Sequence, residues 1–178
     1  SIVILTGSLK MSDIVMSQDT GWWIFRGHIP VAISFVIFII ASTAEINRAP
    51  FDLAEAEQEL TAGFHTEYSG MKFAMFLLAE YINLFVVSAI AATLFLGGWM
   101  PFHIGHLEGF NHIMDYVPSS IWFFSKTFFI IFIIMQFRWT FPRLRVDQLL
   151  TLEWKYLLPI SMVNTLLVTV MAIMGWHF

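Results

Sequence analysis

The chain has 178 residues, of which 58% are hydrophobic and 12% are charged, and its mean hydropathy is +0.74. This composition excludes an ordinary water-soluble domain and indicates a membrane-embedded protein. A net charge of −4 without a long basic run argues against a nucleic-acid partner, and the absence of cysteine excludes iron–sulfur clusters held by thiolates of this chain. If electrons pass nearby, another chain carries them.

The first residues, SIVILTGSL (1–9), are apolar but lack an initiating Met and the basic start of a signal peptide. They are typical of the end of a helix. We therefore expect the chain to be a piece of a longer protein.

Four apolar stretches approach or exceed the length of about 20 residues that a bilayer-spanning helix needs. They cover residues 28–46, 71–96, 119–138 and 156–176. Lipid offers the backbone no hydrogen-bond partners, so each stretch is predicted to be α-helical. The expected fold is an all-α integral membrane bundle that forms one domain over 1–178, with four full transmembrane helices and the end of a fifth.

The orientation follows from the distribution of Lys and Arg. The connection 138–155 contains Arg138, Arg143, Arg145 and Lys155, whereas the connection 97–118 contains neither Lys nor Arg and carries three histidines. By the positive-inside rule the Arg-bearing connection faces the cytoplasm or matrix. Alternation of the spans then places residues 47–70 on the same inner side. The histidines lie in a Gly-rich outer connection without the ligand pattern of a metal site, and we expect none.

A concentration of negative charge lies between the first two spans. Its six carboxylates are Glu45, Asp52, Glu55, Glu57, Glu59 and Glu67. Asp52 followed by Glu55 is the pattern of an N-cap with a capping box, and Gly63 supplies a stop, so the sequence predicts a short acidic helix over about 53–62. The simplest interpretation is a solvated surface helix whose first-turn acids interact with the helix dipole.

Two further charges lie inside predicted spans. Glu80 stands about ten residues into the second span, where an insertion cost of roughly 2.5 to 3.5 kcal/mol usually reserves a carboxylate for a functional role. Lys126 lies in the third span, and snorkelling to the nearer interface is an equally good interpretation of its position.

Charge repulsion distinguishes a buried acidic cluster from a solvated one. Carboxylates about 6 Å apart at an effective dielectric constant near 20 repel by roughly 3 kcal/mol per pair. Such a group cannot be fully ionised, so its proton occupancy responds to any charge that arrives nearby. Arg48 and the set Arg138, Arg143 and Arg145 are the candidate counter-charges.

Several long motifs closely resemble one family. They are AEINRAPFDLAEAEQELTAGFHTEYSGMKF, LFLGGW and RWTFPRLRVDQLLTLEWKYLLP. They resemble the C-terminal half of the H-type membrane subunit (subunit 1 in mitochondria) of respiratory complex I, the proton-pumping NADH:quinone oxidoreductase (NADH dehydrogenase). Ala54 departs from the Pro that many members have after FDL, and the N-terminal half that supplies other parts of the quinone entry is absent.

The resemblance implies a role in electron transport and proton translocation. The inner acidic segment of the family connects a narrow quinone (ubiquinone) tunnel to charged residues that lead into the antiporter-like subunits. Matched residue by residue, the funnel comprises Glu45, Arg48, Asp52, Glu55, Glu57, Glu59 and Glu67, and Glu80 belongs to the intramembrane path. The supporting inner connection contributes Arg138, Arg143, Arg145, Asp147 and Lys155, which we expect to pair with the acids.

The resemblance also implies that the chain is a translocase subunit with no complete active site and no cofactor of its own. FMN and iron–sulfur clusters would reside on partner chains, and the quinone substrate would be shared with them. The implied partners are the N-terminal half, the quinone-site hydrophilic subunits and the small membrane-arm subunits, in a bacterial plasma membrane or a mitochondrial inner membrane.

Three alternatives stay open. The first is an ion channel or antiporter-like protein without a redox partner, which would use Glu45, Glu80 and Lys126. The second is an anchor that docks a peripheral enzyme through its Arg-bearing connection. The third is the equivalent subunit of a membrane-bound hydrogenase, which the EAEQEL and HTEYSG elements disfavour because they resemble the quinone-linked branch.

Overall fold

The computed structural model describes residues 1–19, 21–52, 68–103 and 108–175. These residues form eight helices. In chain order they are α1 (Ile2–Thr6), α2 (Met11–Met16), α3 (Trp23–Arg26), α4 (His28–Glu45), α5 (Met71–Phe95), α6 (Glu108–Asp115), α7 (Ser119–Thr140) and α8 (Val146–Ile173). The predicted all-α fold is confirmed.

Four of the described helices, α4, α5, α7 and α8, are long and apolar enough to cross a membrane. The first three agree with the predicted spans to within about two residues at each end, which is the usual uncertainty of a helix boundary. The predicted fifth span is represented by α1, a helix of five residues within 1–9. The predicted acidic helix over 53–62 lies outside the described residues.

The start of the last span was predicted wrongly. The helix begins at Val146 instead of residue 156, so the connection after α7 shrinks to 141–145. Pro142 keeps Phe141 out of the helical conformation, and the Gln148 side chain then accepts a hydrogen bond from the Arg145 amide at 3.1 Å to begin the new helix. Hydropathy marked where the apolar residues begin, not where the helix does.

This boundary changes the position of two predicted site residues. Asp147 and Lys155 lie on α8 and not in a loop. Residues Thr151–Leu157 of α8 form a π-helical segment, which widens the helix just before its most apolar part.

The core lies where the spans cross. α5 packs mainly against α7, and α8 packs against α4. The buried apolar side chains include Val31, Ile39, Leu84, Ala91, Phe95, Ile130 and Ile134. Most residues of each span are not buried in this chain, and the bundle therefore presents a large apolar surface to lipid or to further polypeptide.

A buried amide ties α8 to α4. Asn164, 6% exposed, donates from Nδ2 to the Pro30 carbonyl at 2.9 Å and to Ser34 Oγ at 2.8 Å. Interhelical hydrogen bonds of this kind are a common device for holding membrane helices together, because lipid itself drives no hydrophobic association.

Candidate functional site

The centre of the candidate site is an ion pair between the segment after α4 and the interior of α5. Arg48 is 4% exposed, and its Nε lies 3.0 Å from Glu80 Oε1. The N–H is not well aligned for a hydrogen bond, so the contact is mainly electrostatic. The Glu80 side chain remains 35% exposed. The carboxylate predicted from its depth in the second span therefore has a cation beside it.

The backbone after α4 turns sharply to bring Arg48 inward. Asn47 adopts a positive φ of 53°, which Asn tolerates better than most residues, and the Arg48 amide donates to the Thr43 carbonyl at 3.2 Å. The guanidinium carbon also lies 4.9 Å from the centre of the Tyr81 ring, a cation–π contact. Arg48 is thus held between neighbouring residues of α5.

Asp52, four residues after Arg48 in the chain, is buried as well. It is 4% exposed and engages a partner. Between it and Arg48, the Pro50 carbonyl accepts a hydrogen bond of 3.0 Å from the Leu144 amide. The connection after α4 and the connection after α7 therefore meet on the same side of the bundle, as the alternation of the spans predicted.

A cavity of about 550 Å³ opens beside Glu45, the last residue of α4. Asn47 and Glu153 also line it, whereas its other lining residues are mostly aliphatic. Glu153 was not predicted as a site residue. Its only signal in the sequence is an acid placed within a stretch that was interpreted as a loop, and its contribution to the cavity depends on α8 beginning at Val146.

The remaining predicted site residues do not form one cluster. Five of them belong to the described residues, and all five are exposed: Arg138, Arg143, Arg145, Asp147 and Lys155. Arg143 engages a partner, and Lys155 Nζ lies 5.9 Å from the centre of the adjacent Tyr156 ring. Glu55, Glu57, Glu59 and Glu67 lie outside the described residues. The expected pairing of the acidic segment with the Arg-bearing connection remains a prediction.

Lys126 occupies a different place from the Arg48–Glu80 ion pair. Its ammonium donates to the Leu96 carbonyl at 2.6 Å, to the Gly98 carbonyl at 3.1 Å and to the Met100 carbonyl. Nζ also lies 4.4 Å from the centre of the Trp22 ring. Three donors meet three acceptors, and the positive charge sits at the carboxyl-terminal end of α5, where the helix dipole favours it. Lys126 is a cap for α5.

One described histidine, His103, contributes to local structure in the connection after α5. His103 Nε2 lies 2.9 Å from Asp115 Oδ1, which ties that connection to the last residue of α6. The pair is partly exposed and far in sequence from the acidic segment.

Comparison with known proteins identifies the family. A profile of the NADH dehydrogenase family matches residues 1–169. The chain belongs to this family. The H subunit of NADH-quinone oxidoreductase from Bacteroides fragilis is 61% identical over all 178 residues of the chain and 50% of the relative. The Bacteroides thetaiotaomicron protein of the same name shows the same identity and coverage.

More distant members of the NADH dehydrogenase family also match. The H subunit from Geobacillus kaustophilus is 46% identical over 99% of this chain and 49% of the relative. The chain thus spans about half the length of the curated relatives it matches. The resemblance drawn from the sequence motifs is confirmed, and the four apolar helices agree with a multi-pass membrane protein.

Proposed function

We propose that the chain is part of a membrane subunit of a proton-pumping NADH:quinone oxidoreductase. In this role it helps to form the quinone tunnel and couples quinone reduction to proton translocation. The observation that best supports the proposal is the Arg48–Glu80 ion pair, because it places an acid of the membrane interior in direct contact with the segment that leads to the acidic cluster.

The ion pair provides a means of coupling. Reduction of a quinone by two electrons takes up two protons, and this uptake changes the charge balance of the neighbouring carboxylates. A proton that reaches Glu80 removes the negative charge opposite Arg48. The uncompensated guanidinium then raises the positive potential at the carboxylates around it, so protonation in one place changes proton affinity in another.

The other components of the reaction belong to other chains. Hydride oxidation by FMN and electron transfer through iron–sulfur clusters would take place on partner subunits, and the quinone site would be completed by them. Glu45 and Glu153 line a cavity whose other walls are mostly apolar, and this cavity is a candidate part of the route. We place the complex in an energy-transducing membrane, either a bacterial plasma membrane or a mitochondrial inner membrane.

The proposal is tested in the complete complex with Glu80→Gln and Asp52→Asn. Both changes remove a charge at nearly constant shape. We expect quinone-linked NADH oxidation and proton pumping to fall about tenfold or more, the order of effect that a lost proton-transfer group has in enzymes. NADH oxidation by ferricyanide, which draws electrons before the quinone site, should be unchanged.

A matched control is Asp19→Asn, which neutralises an exposed acid outside the proposed route. It should leave quinone-linked turnover and pumping intact. Full turnover and full pumping in both Glu80→Gln and Asp52→Asn would refute the coupling role. A parallel loss of ferricyanide reduction would show instead that the complex had failed to assemble.

No described contact favours the alternative of an ion channel without redox partners. That alternative used Glu45, Glu80 and Lys126 as one route, but Lys126 is bound to backbone carbonyls at the end of α5, and Glu80 is paired with Arg48.

A further inference from the structure

The cavity of about 550 Å³ beside Glu45 depends on an irregular turn of α8. The lining contributed by this helix includes Leu152, Glu153, Leu157 and Leu158. Glu153 and Leu158 are five residues apart, and so are the other two. In a regular α-helix, residues five apart point about 140° away from each other, because the helix turns by about 100° per residue. A regular helix would therefore turn part of this lining away from the cavity.

The π-helical segment Thr151–Leu157 accounts for the lining. The hydrogen bonds of a π-helix join residues i and i+5, so residues five apart come to lie on one face. Tyr156 stands three residues after Glu153, where a regular α-helix would place it on the same face. It is 52% exposed instead and does not line the cavity. The π-helical segment thus places Glu153 and Leu158 in one wall.

The α4 side of the cavity carries a second carboxylate. Glu45 ends α4, and the other polar side chains of the lining are Asn47 and Ser161. Within the part of the chain that the structure describes, neither Glu45 nor Glu153 forms an ion pair. Two negative charges therefore face one cavity with mostly aliphatic walls, and the ionisation of each depends on the charge of the other.

The cavity is large and polar enough to hold water between the two carboxylates. A water molecule takes up about 30 Å³ in the liquid and needs two to four polar partners. The cavity volume accommodates several such molecules, and the polar side chains of the lining supply hydrogen-bond partners. A short chain of water can thus carry protons between Glu153 and Glu45.

We propose that Glu153 exchanges protons with Glu45 through this cavity and is a further proton-transfer residue of the coupling route. The inference rests on the proposed function and adds α8 to the route. In the exchange, the protonated carboxyl of Glu153 loses its O–H bond, and the ionised Glu45 gains one through the water chain. The negative charge thereby moves from α4 to α8, away from the helix end that leads to Arg48.

The first test uses the complete complex in proteoliposomes. Glu153→Gln removes the proton-accepting group at nearly constant shape and should lower quinone-linked NADH oxidation and proton pumping about tenfold. Both rates are divided by the rate of ferricyanide reduction, which counts the assembled complexes. Asp19→Asn neutralises an exposed acid elsewhere and should change neither rate.

Two relocated acids test the register of α8. In Glu153→Gln/Leu158→Glu the carboxylate moves by five residues but stays in the cavity lining, and most of the lost activity should return. In Glu153→Gln/Tyr156→Glu it moves by three residues to the exposed surface, and no activity should return. A regular α-helix would give the reverse order, because residues i and i+3 share a face.

A small acid in solution separates proton transfer from a structural role. Glu153→Ala leaves space in the cavity, and acetate supplies a carboxyl group there. Acetamide has nearly the same shape but no carboxyl proton to exchange. We expect acetate to restore the turnover of Glu153→Ala several-fold and acetamide to restore none, whereas a side chain that only fills space would be replaced by both.

Three results would overturn the proposal. They are full turnover and pumping in Glu153→Gln, equal effects of acetate and acetamide, and failure of Leu158→Glu to restore more activity than Tyr156→Glu. Losses in Glu80→Gln and Asp52→Asn without a loss in Glu153→Gln would refute only the role of Glu153. Full activity in all three of these variants would refute the coupling role as well.

Discussion

Arg48 Nε lies 3.0 Å from Glu80 Oε1, and this contact joins the buried segment after α4 to the interior of α5. The two groups are unequally exposed, at 5% for the arginine side chain and 35% for the glutamate. The arginine therefore depends on its partner more than the glutamate does, because an unpaired charge is costly in proportion to its burial.

The first prediction concerns the stability of this ion pair. Glu80→Gln leaves a buried guanidinium without a counter-charge and should lower the free energy of unfolding by about 3 kcal/mol. Arg48→Met removes the buried charge itself and should cost less. The double variant Arg48→Met/Glu80→Gln should be more stable than the sum of the single changes predicts, as measured by denaturant titration in detergent micelles.

The control for this cycle is Lys72→Gln, because Lys72 is an exposed charge on the same helix. It should combine additively with Arg48→Met. Additivity of Arg48→Met and Glu80→Gln would mean that the two side chains do not interact in the folded protein.

The second prediction concerns Lys126. Lys126→Met removes the donor for the carbonyls of Leu96, Gly98 and Met100, and each buried carbonyl left unpaired costs about 1 to 3 kcal/mol. We expect a marked loss of stability of the full complex in thermal unfolding. Ferricyanide reduction per folded complex should not change.

The conservative variant Lys126→Arg separates a cap from a proton carrier. An arginine keeps its positive charge and several donors, yet it does not release a proton at any pH that the protein experiences. Recovery of both stability and pumping in Lys126→Arg is expected for a cap. Recovery of stability without recovery of pumping would show that Lys126 transfers protons.

The spans could be predicted from sequence because bilayer thickness fixes the length of an apolar helix. This signal gave α4, α5 and α7. It failed at the start of α8, because charged residues such as Asp147 and Lys155 are tolerated in a helix where it enters the membrane interface. Hydropathy therefore indicates which residues lie in the apolar part of the membrane, whereas the backbone conformation decides at which residue the helix begins.

The partners within the site were harder to predict. Arg48 was recognised as a counter-charge, but its contact with Glu80 depends on how α4 and α5 cross, which no local pattern specifies. Lys126 binds main-chain carbonyls, and such acceptors have no residue type that could mark them in a sequence. Glu153 was missed because the helix that positions it had been assigned to a loop.

The third prediction concerns the turn after α5. Gly97 has a φ of +73°, and a Cβ atom there would lie 3.0 Å from Trp22 Cδ1. Gly97→Ala should lower the free energy of unfolding by about 1 to 2 kcal/mol for the left-handed conformation, plus the cost of displacing the Trp22 ring. Gly7→Ala is the matched control, since its φ is +67° but a Cβ would meet nothing within 4 Å. Equal costs in the two variants would show that the Trp22 contact is unimportant.

The fourth prediction concerns Gln18 and Lys126, which both donate to carbonyls at the carboxyl-terminal end of α5. Gln18 is 2% exposed, and its Nε2 donates to the carbonyls of Thr93 and Leu94 at 3.0 and 3.3 Å, while Lys126 binds the carbonyl of Leu96. Gln18→Met should therefore cost about 1 to 3 kcal/mol, because it leaves these two partly buried carbonyls unpaired.

Loss of either cap should allow the end of α5 to fray. The second substitution should then lower the free energy of unfolding by less than it does alone. The double variant Gln18→Met/Lys126→Met is expected to cost clearly less than the sum of the single variants in denaturant titration. Asn164→Leu provides the comparison, because Asn164 joins α8 to α4 and shares no partner with Lys126, so that pair should be additive. If both pairs were additive, Gln18 and Lys126 would be independent supports, and the end of α5 would not behave as one unit.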